Sequence, residues 1–204
     1  MKPPPVRVVK LGGSLLEFDA LVPALRGWLA AQSPAISILI AGGGPLADFI
    51  RQADARFSLG ETAAHWMCTG AMSVSAKLLA ALLPETELIA DYANLLDSID
   101  ARRAANEQPG RLIVFDPDPF LRNHESTLPG HCLPQSWSVT SDSIAARLAR
   151  VIGANELVLL KSSDPPAHAA LASAAAMEYV DEFFPTAARE IPHVCLINLR
   201  TFNL

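Results

Sequence analysis

The sequence predicts an α/β fold: a three-layer αβα sandwich around a mostly parallel central sheet. Short β-branched or fully apolar runs alternate with helical stretches from one end of the chain to the other. Those runs lack in/out alternation, which is the pattern of strands buried on both faces. Half of the 204 residues are hydrophobic and only 18% are charged, so the chain can bury a sizeable core.

Val6–Leu11 is a β-branched run, and residues 21–31 have helical apolar spacing. Ile36–Ala41, "ISILIA", is a second strand ended by "GGGP", and residues 46–55 read as a helix. Residues 61–83 form a long alanine-rich helical stretch. Residues 88–91 and 111–115 read as strands, and residues 116–137 as an irregular loop over a site. Residues 141–152 form an amphipathic helix and residues 157–160 a fully apolar strand. Residues 167–176 and 181–190 read as helices before a last strand, His193–Asn198. With no repeat and no low-complexity linker, residues 1–204 are expected to be a single domain.

Composition excludes several classes. The net charge of −5 argues against a dedicated nucleic-acid binder but not against a nucleotide ligand. Cys68, Cys132 and Cys195 have no metal-ligand spacing and read as reduced thiols of a cytoplasmic protein. "MKPPPVRVVK" lacks the apolar run of a signal peptide, and no run approaches the ~18 residues of a membrane span. His65 reads as a core or surface histidine, and His124 and His131 as loop residues. Nothing resembles a zinc pattern, so no metal-binding residue is expected.

In a parallel sheet ligands sit at the carboxyl ends of the strands. Three unusual segments fall there: Lys10 to Ser14, Gly42 to Pro45, and Lys161 to Asp164, while Thr140-Ser141-Asp142 opens a helix. Gly12 and Gly13 permit close backbone approach to an anion, Ser14 adds a donor, and Lys10 reaches over the same anion. An ordinary turn with a solvated lysine explains that segment equally well. Gly42-Gly43-Gly44 suits an anion-binding turn at a helix N-terminus, with tight packing as the alternative. Thr140, Ser141 and Asp142 are what a helix cap requires, but capping needs only one of them.

Taken in order, "VKLGGSLL", "IAGGGPLADFIRQAD" and "TSDSIAARLA" resemble the amino acid kinase family. Further similarity in "AHWMC", "WSVTSDS" and "VDEFFPTAAREIPHVCLINLR" is to the branch that phosphorylates an aminomethylfuran phosphate for methanofuran-type C1 cofactors. It runs from about Val8 to Arg200. The resemblance implies a cytoplasmic, homo-oligomeric kinase that uses ATP and Mg²⁺ to phosphorylate a small phosphomonoester. It implies that Lys10 neutralises charge on the transferred phosphoryl group and that Asp142 organises the lysine. It places Gly12, Gly13, Ser14, Ser162 and Asp164 on the nucleotide side. Gly42, Gly43, Gly44, Thr140 and Ser141 fall on the acceptor side.

The sequence leaves the family pattern at one place. A "TDVDG"-like stretch is replaced by Lys161-Ser162-Ser163-Asp164-Pro165, and the segment up to Asp181 is short. Lys161 is expected to point into the cleft within salt-bridge reach of Asp142, as a second phosphate-binding charge. The alternative is a strand-end lysine facing solvent. The rival for the whole chain is a catalytically degenerate member that binds a phosphorylated metabolite or a partner protein.

Overall fold

The computed structural model describes residues 3–105, 112–167 and 170–202. Six strands form one sheet: β1 (Val6–Leu11), β2 (Ile36–Ala41), β3 (Glu87–Ile89), β4 (Ile113–Phe115), β5 (Glu156–Lys161) and β6 (His193–Asn198). Their order is β3-β4-β2-β1-β5-β6, and every neighbouring pair is parallel. Parallel neighbours need long crossovers, and helices supply them. These are α1 (Leu21–Ala30), α2 (Gly44–Phe57), α3 (Glu61–Leu82), α4 (Tyr92–Ala105), α5 (Pro117–Asn123), α6 (Ser141–Val151), α7 (Leu171–Ala176) and α8 (Phe184–Ala187).

The strands read as unbroken apolar runs because the sheet has a core on each face. Val6 and Val8, Ile36, Ile38 and Ile40, and Leu157 and Leu159 enter one core, with α4, α5, α6 and α8. Val9 and Leu11, Leu39 and Ala41, and Val158 and Leu160 enter the other, with α1 and the later part of α3. Alternate side chains therefore point to opposite but equally dry faces.

The structure corrects the sequence reading in three places. Helix α4 was not expected. Its start is set by Asp91, whose carboxylate accepts the Asn94 N–H at 2.9 Å, and only Tyr92, Leu95 and Ile99 are buried. Helix α5 lies inside the expected irregular loop. Asp116 accepts the Asp118 N–H at 3.1 Å, and Pro117 occupies the first turn, where its missing N–H costs nothing. The helix expected over residues 181–190 shrinks to the four residues of α8, because Asp181 is engaged elsewhere. The expectations for Arg111 and for residues 168–169 lie outside the described residues.

The central trio β2-β1-β5 positions the site. Lys10 stands in register with Ile40 and Leu159, and Lys161 is the last residue of β5. Beyond the strands the Gly12 N–H donates to Leu160 O at 2.8 Å and the Gly42 N–H to Leu11 O at 2.9 Å. Those two bonds carry the sheet ladder one residue further and bring the glycine loops side by side.

Candidate active site

Asp142 is the centre of the cluster. It sits in the first turn of α6 and is only 2% exposed. Lys10 Nζ lies 2.8 Å from its Oδ1 and Lys161 Nζ 2.5 Å from its Oδ2. The Lys161 contact is a hydrogen bond. The Lys10 contact is an ion pair, and Oδ1 has no hydrogen-bond partner. Lys10, at 4% exposure, is as buried as its partner. Lys161 points into the cleft, as the sequence reading expected, and its ammonium also lies 5.4 Å from the Tyr179 ring centroid.

The electrostatics follow from burial and pairing. Burial pushes the Asp142 carboxyl up, but the charges of Lys10 and Lys161 outweigh it and hold the carboxyl below its ordinary range. Burial and then the neighbouring Lys10 charge push the Lys161 ammonium down, and Asp142 and Asp181 restore only part of that. Tyr179, desolvated and facing Asp142 and Asp164, is pushed up to about 12. Two ammonium groups share the one carboxylate that pairs with them, an arrangement that suits an incoming anion, and Asp181 sets a second negative charge near Lys161.

The glycine loops meet at this spot. A Cβ on Gly13 would lie 2.3 Å from Gly44 N, and one on Gly42 would lie 2.8 Å from Gly13 N. A Cβ on Gly43 would likewise lie 2.7 Å from Ala47 Cβ, so the tight-packing alternative holds for Gly42 and Gly43, and Gly13 packs as closely, beside a Lys10 that is buried and not solvated. Gly12 is corrected as a phosphate donor, since its N–H is already bonded to Leu160 O. Gly43 and Gly44 open α2, where first-turn N–H groups have no intrahelical partner. Gly13, Gly43 and Gly44 line a cavity of about 210 Å³ with Lys10, Thr140, Ser141, Asp142 and Lys161.

A second cleft opens on the other side of Lys161, lined by Ser14, Ser162, Ser163, Asp164 and Tyr179. Ser14 and Ser162 share a hydroxyl–hydroxyl hydrogen bond of 2.8 Å. Asp164 is held by Asn198 Nδ2 at 2.9 Å, which ties this loop to the end of β6. Ser14, Ser162 and Asp164 line this second cleft, whereas Gly13 lines the first with Gly43, Gly44, Thr140 and Ser141, and Lys161 lines both.

Sequence reasoning missed several residues. His65, read as a core or surface histidine, forms part of the cavity wall, where burial first and the Arg122 charge second push its pKa down. Arg51 and Trp137 line the same cavity; the Trp137 indole N–H donates to Asp54 at 2.8 Å and Arg51 lies over its ring. Adjacency of Trp137 to "SVTSD" was the available signal. Asp181, which accepts bonds from Thr140 and Ser143, had none.

Against this geometry, the comparison that decides the family is a match of residues 5–165 to the amino acid kinase family model. The chain belongs to the amino acid kinase family. It is similar to the [5-(aminomethyl)furan-3-yl]methyl phosphate kinase of Methanocaldococcus jannaschii, with 24% identity over 164 residues, 78% of this chain and 67% of that protein. Its fold matches a uridylate kinase from Archaeoglobus fulgidus at a TM-score of 0.59 and 18% identity, covering 98% of this chain and 92% of that one. It also matches a UMP kinase from Bacillus anthracis at 0.63 and 13% identity, covering 98% and 89%. Membership of the amino acid kinase family, with a kinase-like fold, supports a phosphotransferase. No helix among the described residues is long and apolar enough to cross a membrane.

Proposed function

We propose that this amino acid kinase transfers a phosphoryl group from ATP to a small phosphomonoester, with (5-(aminomethyl)furan-3-yl)methyl phosphate as the first acceptor to test. The observation that carries the reading is Lys10 and Lys161 converging on one buried carboxylate between two clefts. The Methanocaldococcus relative supports the choice of a phosphate acceptor.

The residues fit an anionic phosphate chain. Ammonium groups and helix-start amides surround the space between the clefts, and no side chain there needs to act as a nucleophile. ATP supplies the phosphoryl group when bound. Lys10 and Lys161 neutralise the charge that grows on the equatorial oxygens in transfer. Asp142 keeps both ammonium groups aimed, so no reorganisation is needed at the moment of reaction. Gly43 and Gly44, with Thr140 and Ser141, hold the acceptor's phosphate, Ser14, Ser162 and Asp164 face the donor, and Gly13 stands where the two glycine loops meet.

The residues fit a protein-held metal poorly. Both Asp142 oxygens are occupied by lysines, and among the described residues no group of three or more His, Cys, Asp or Glu side chains could hold an ion.

We propose too that the chain forms a homo-oligomer through α2 and α3. Helix α2 buries no residue, and Phe49, Phe57, Met67, Val74 and Leu78 stand exposed. Gly70, in mid-helix, has nothing within 4 Å of where a Cβ would sit, although glycine there costs ~1 kcal/mol. Met67 and Val74 flank it almost symmetrically, so a two-fold crossing of α3 pairs one with the other.

The test is ADP release from ATP with the furan phosphate and a panel of small phosphomonoesters. Acceptor-dependent release is expected. Acceptor binding without any ATP turnover would instead establish the degenerate binding protein.

A further inference from the structure

We propose that Asp181 is the positioning residue of this site. From outside the family-matched segment, its carboxylate clamps Thr140 and Ser143 on either side of Asp142 and so fixes the carboxylate that carries Lys10 and Lys161. The inference rests on the kinase reading for its rate effects, but not for its geometry.

Four donors converge on Asp181. Thr140 N donates at 2.9 Å, Thr140 Oγ1 at 2.8 Å and Ser143 N at 3.0 Å, all to Oδ2, and Ser143 Oγ donates to Oδ1. A helix start needs one acceptor, and Thr140 could be its own cap. Its hydroxyl, however, accepts the Asp142 N–H at only 3.4 Å, at the edge of hydrogen-bond range. The first turn of α6 is thus tied by a residue about 40 positions away. Burial, with the Asp142 charge behind it, raises the Asp181 carboxyl, and the Ser143 and Thr140 donors offset only part of that.

The neighbours of Asp181 extend the grip to β5. Tyr179 OH donates to Ser163 O at 3.1 Å and its ring lies beside the Lys161 ammonium. The Phe183 N–H donates to Ser138 O at 3.1 Å. Residues 179–183 therefore bridge the two elements that carry Asp142 and Lys161. Asp181 also adds a negative charge near Lys161, opposite to the effect of Lys10.

The variants are Asp181→Ala, which removes the clamp, and Asp181→Asn, which keeps one acceptor oxygen but no charge. The readouts are circular dichroism, single-turnover transfer from ATP to the acceptor, KM for ATP, and the titration of the Lys161 ammonium followed by NMR with ¹³C-labelled lysine. Asp181→Ala should stay folded and lose rate about a hundredfold, the scale of an ångström-level misplacement, with KM changed far less. Asp181→Asn should recover part of the rate. In both, Lys161 should titrate at lower pH than in the wild type. Wild-type rate and wild-type Lys161 titration in either folded variant overturn the proposal. If Asp181→Ala does not fold, Asp181→Asn decides by the same two readouts. If wild-type protein transfers nothing from ATP, the kinase reading fails, and the Lys161 titration still judges Asp181.

Discussion

Lys161 is under two opposing demands, and they separate on the pH axis. Its folded pKa is lowered from 10.5. Between that lowered value and 10.5 the unfolded chain holds the extra proton, so this group makes stability rise, not fall, with pH. Phosphoryl transfer needs the charged form and is lost over the same window. Rate should therefore decline on the alkaline side while the melting temperature holds, and Lys161→Met should remove that arm of the profile. Rate and melting temperature falling together would refute this. At the acid end Asp142, depressed from 3.8, keeps its ion pairs at every pH above that value and loses them only as pH falls through the folded pKa. A second residue-scale outcome concerns Gly13. Because a Cβ there meets Gly44 N at 2.3 Å, Gly13→Ala should part the two loops and weaken ATP and acceptor binding together. Loss of ATP affinity alone, by calorimetry, would confine Gly13 to the donor side. Lys10, Asp142 and Lys161 were legible because each ends a strand or opens a helix. Asp181 was not, because its partners lie 38 and 41 positions away and no local spacing encodes them.

Among the elements, the long apolar strands and α3 could be read directly, whereas α4 and α5 could not, and α8 was read too long. Helix α4 carries Asp97, Asp100, Arg102 and Arg103 around only three buried side chains, so its period is diluted. Helix α5 hides in "DPDPF", where Asp and Pro usually announce a turn but here form a cap and a first turn. The loop after α5 is fixed by Arg147 of α6, 1% exposed, whose guanidinium bonds Glu125 Oε1 at 2.8 Å and the carbonyls of Glu125, Leu128 and Pro129. Arg147→Met should leave the buried Glu125 without its cation, held only by the Leu133 N–H at 3.1 Å, and cost roughly 3–5 kcal/mol in urea unfolding. Adding Glu125→Gln should recover part of that loss. A single variant as stable as wild type would show that this loop is held by its apolar contacts instead.

The molecule as a whole was the most legible level, since parallel topology follows from strands that are apolar on both faces, and β2-β1-β5 then gather three loops at one edge. What the sequence could not show is that α2 and α3 leave Phe49, Phe57, Met67, Val74 and Leu78 exposed, because exposure depends on packing and not on residue type. The homo-oligomer predicts that Val74→Glu sediments as a monomer with an unchanged circular dichroism spectrum, whereas wild type sediments as a larger species. A wild-type monomer at tens of micromolar would remove the α3 crossing. In the proposed mechanism Asp142 aims two lysines at a transferring phosphoryl group. Its most direct test is the single-turnover rate of transfer from ATP to the phosphomonoester acceptor in wild type and Asp142→Asn. Losing this charge-stabilising arrangement should slow transfer by roughly a hundredfold or more while ATP still binds. An Asp142→Asn protein that is folded, saturated with ATP and as fast as wild type would contradict the account.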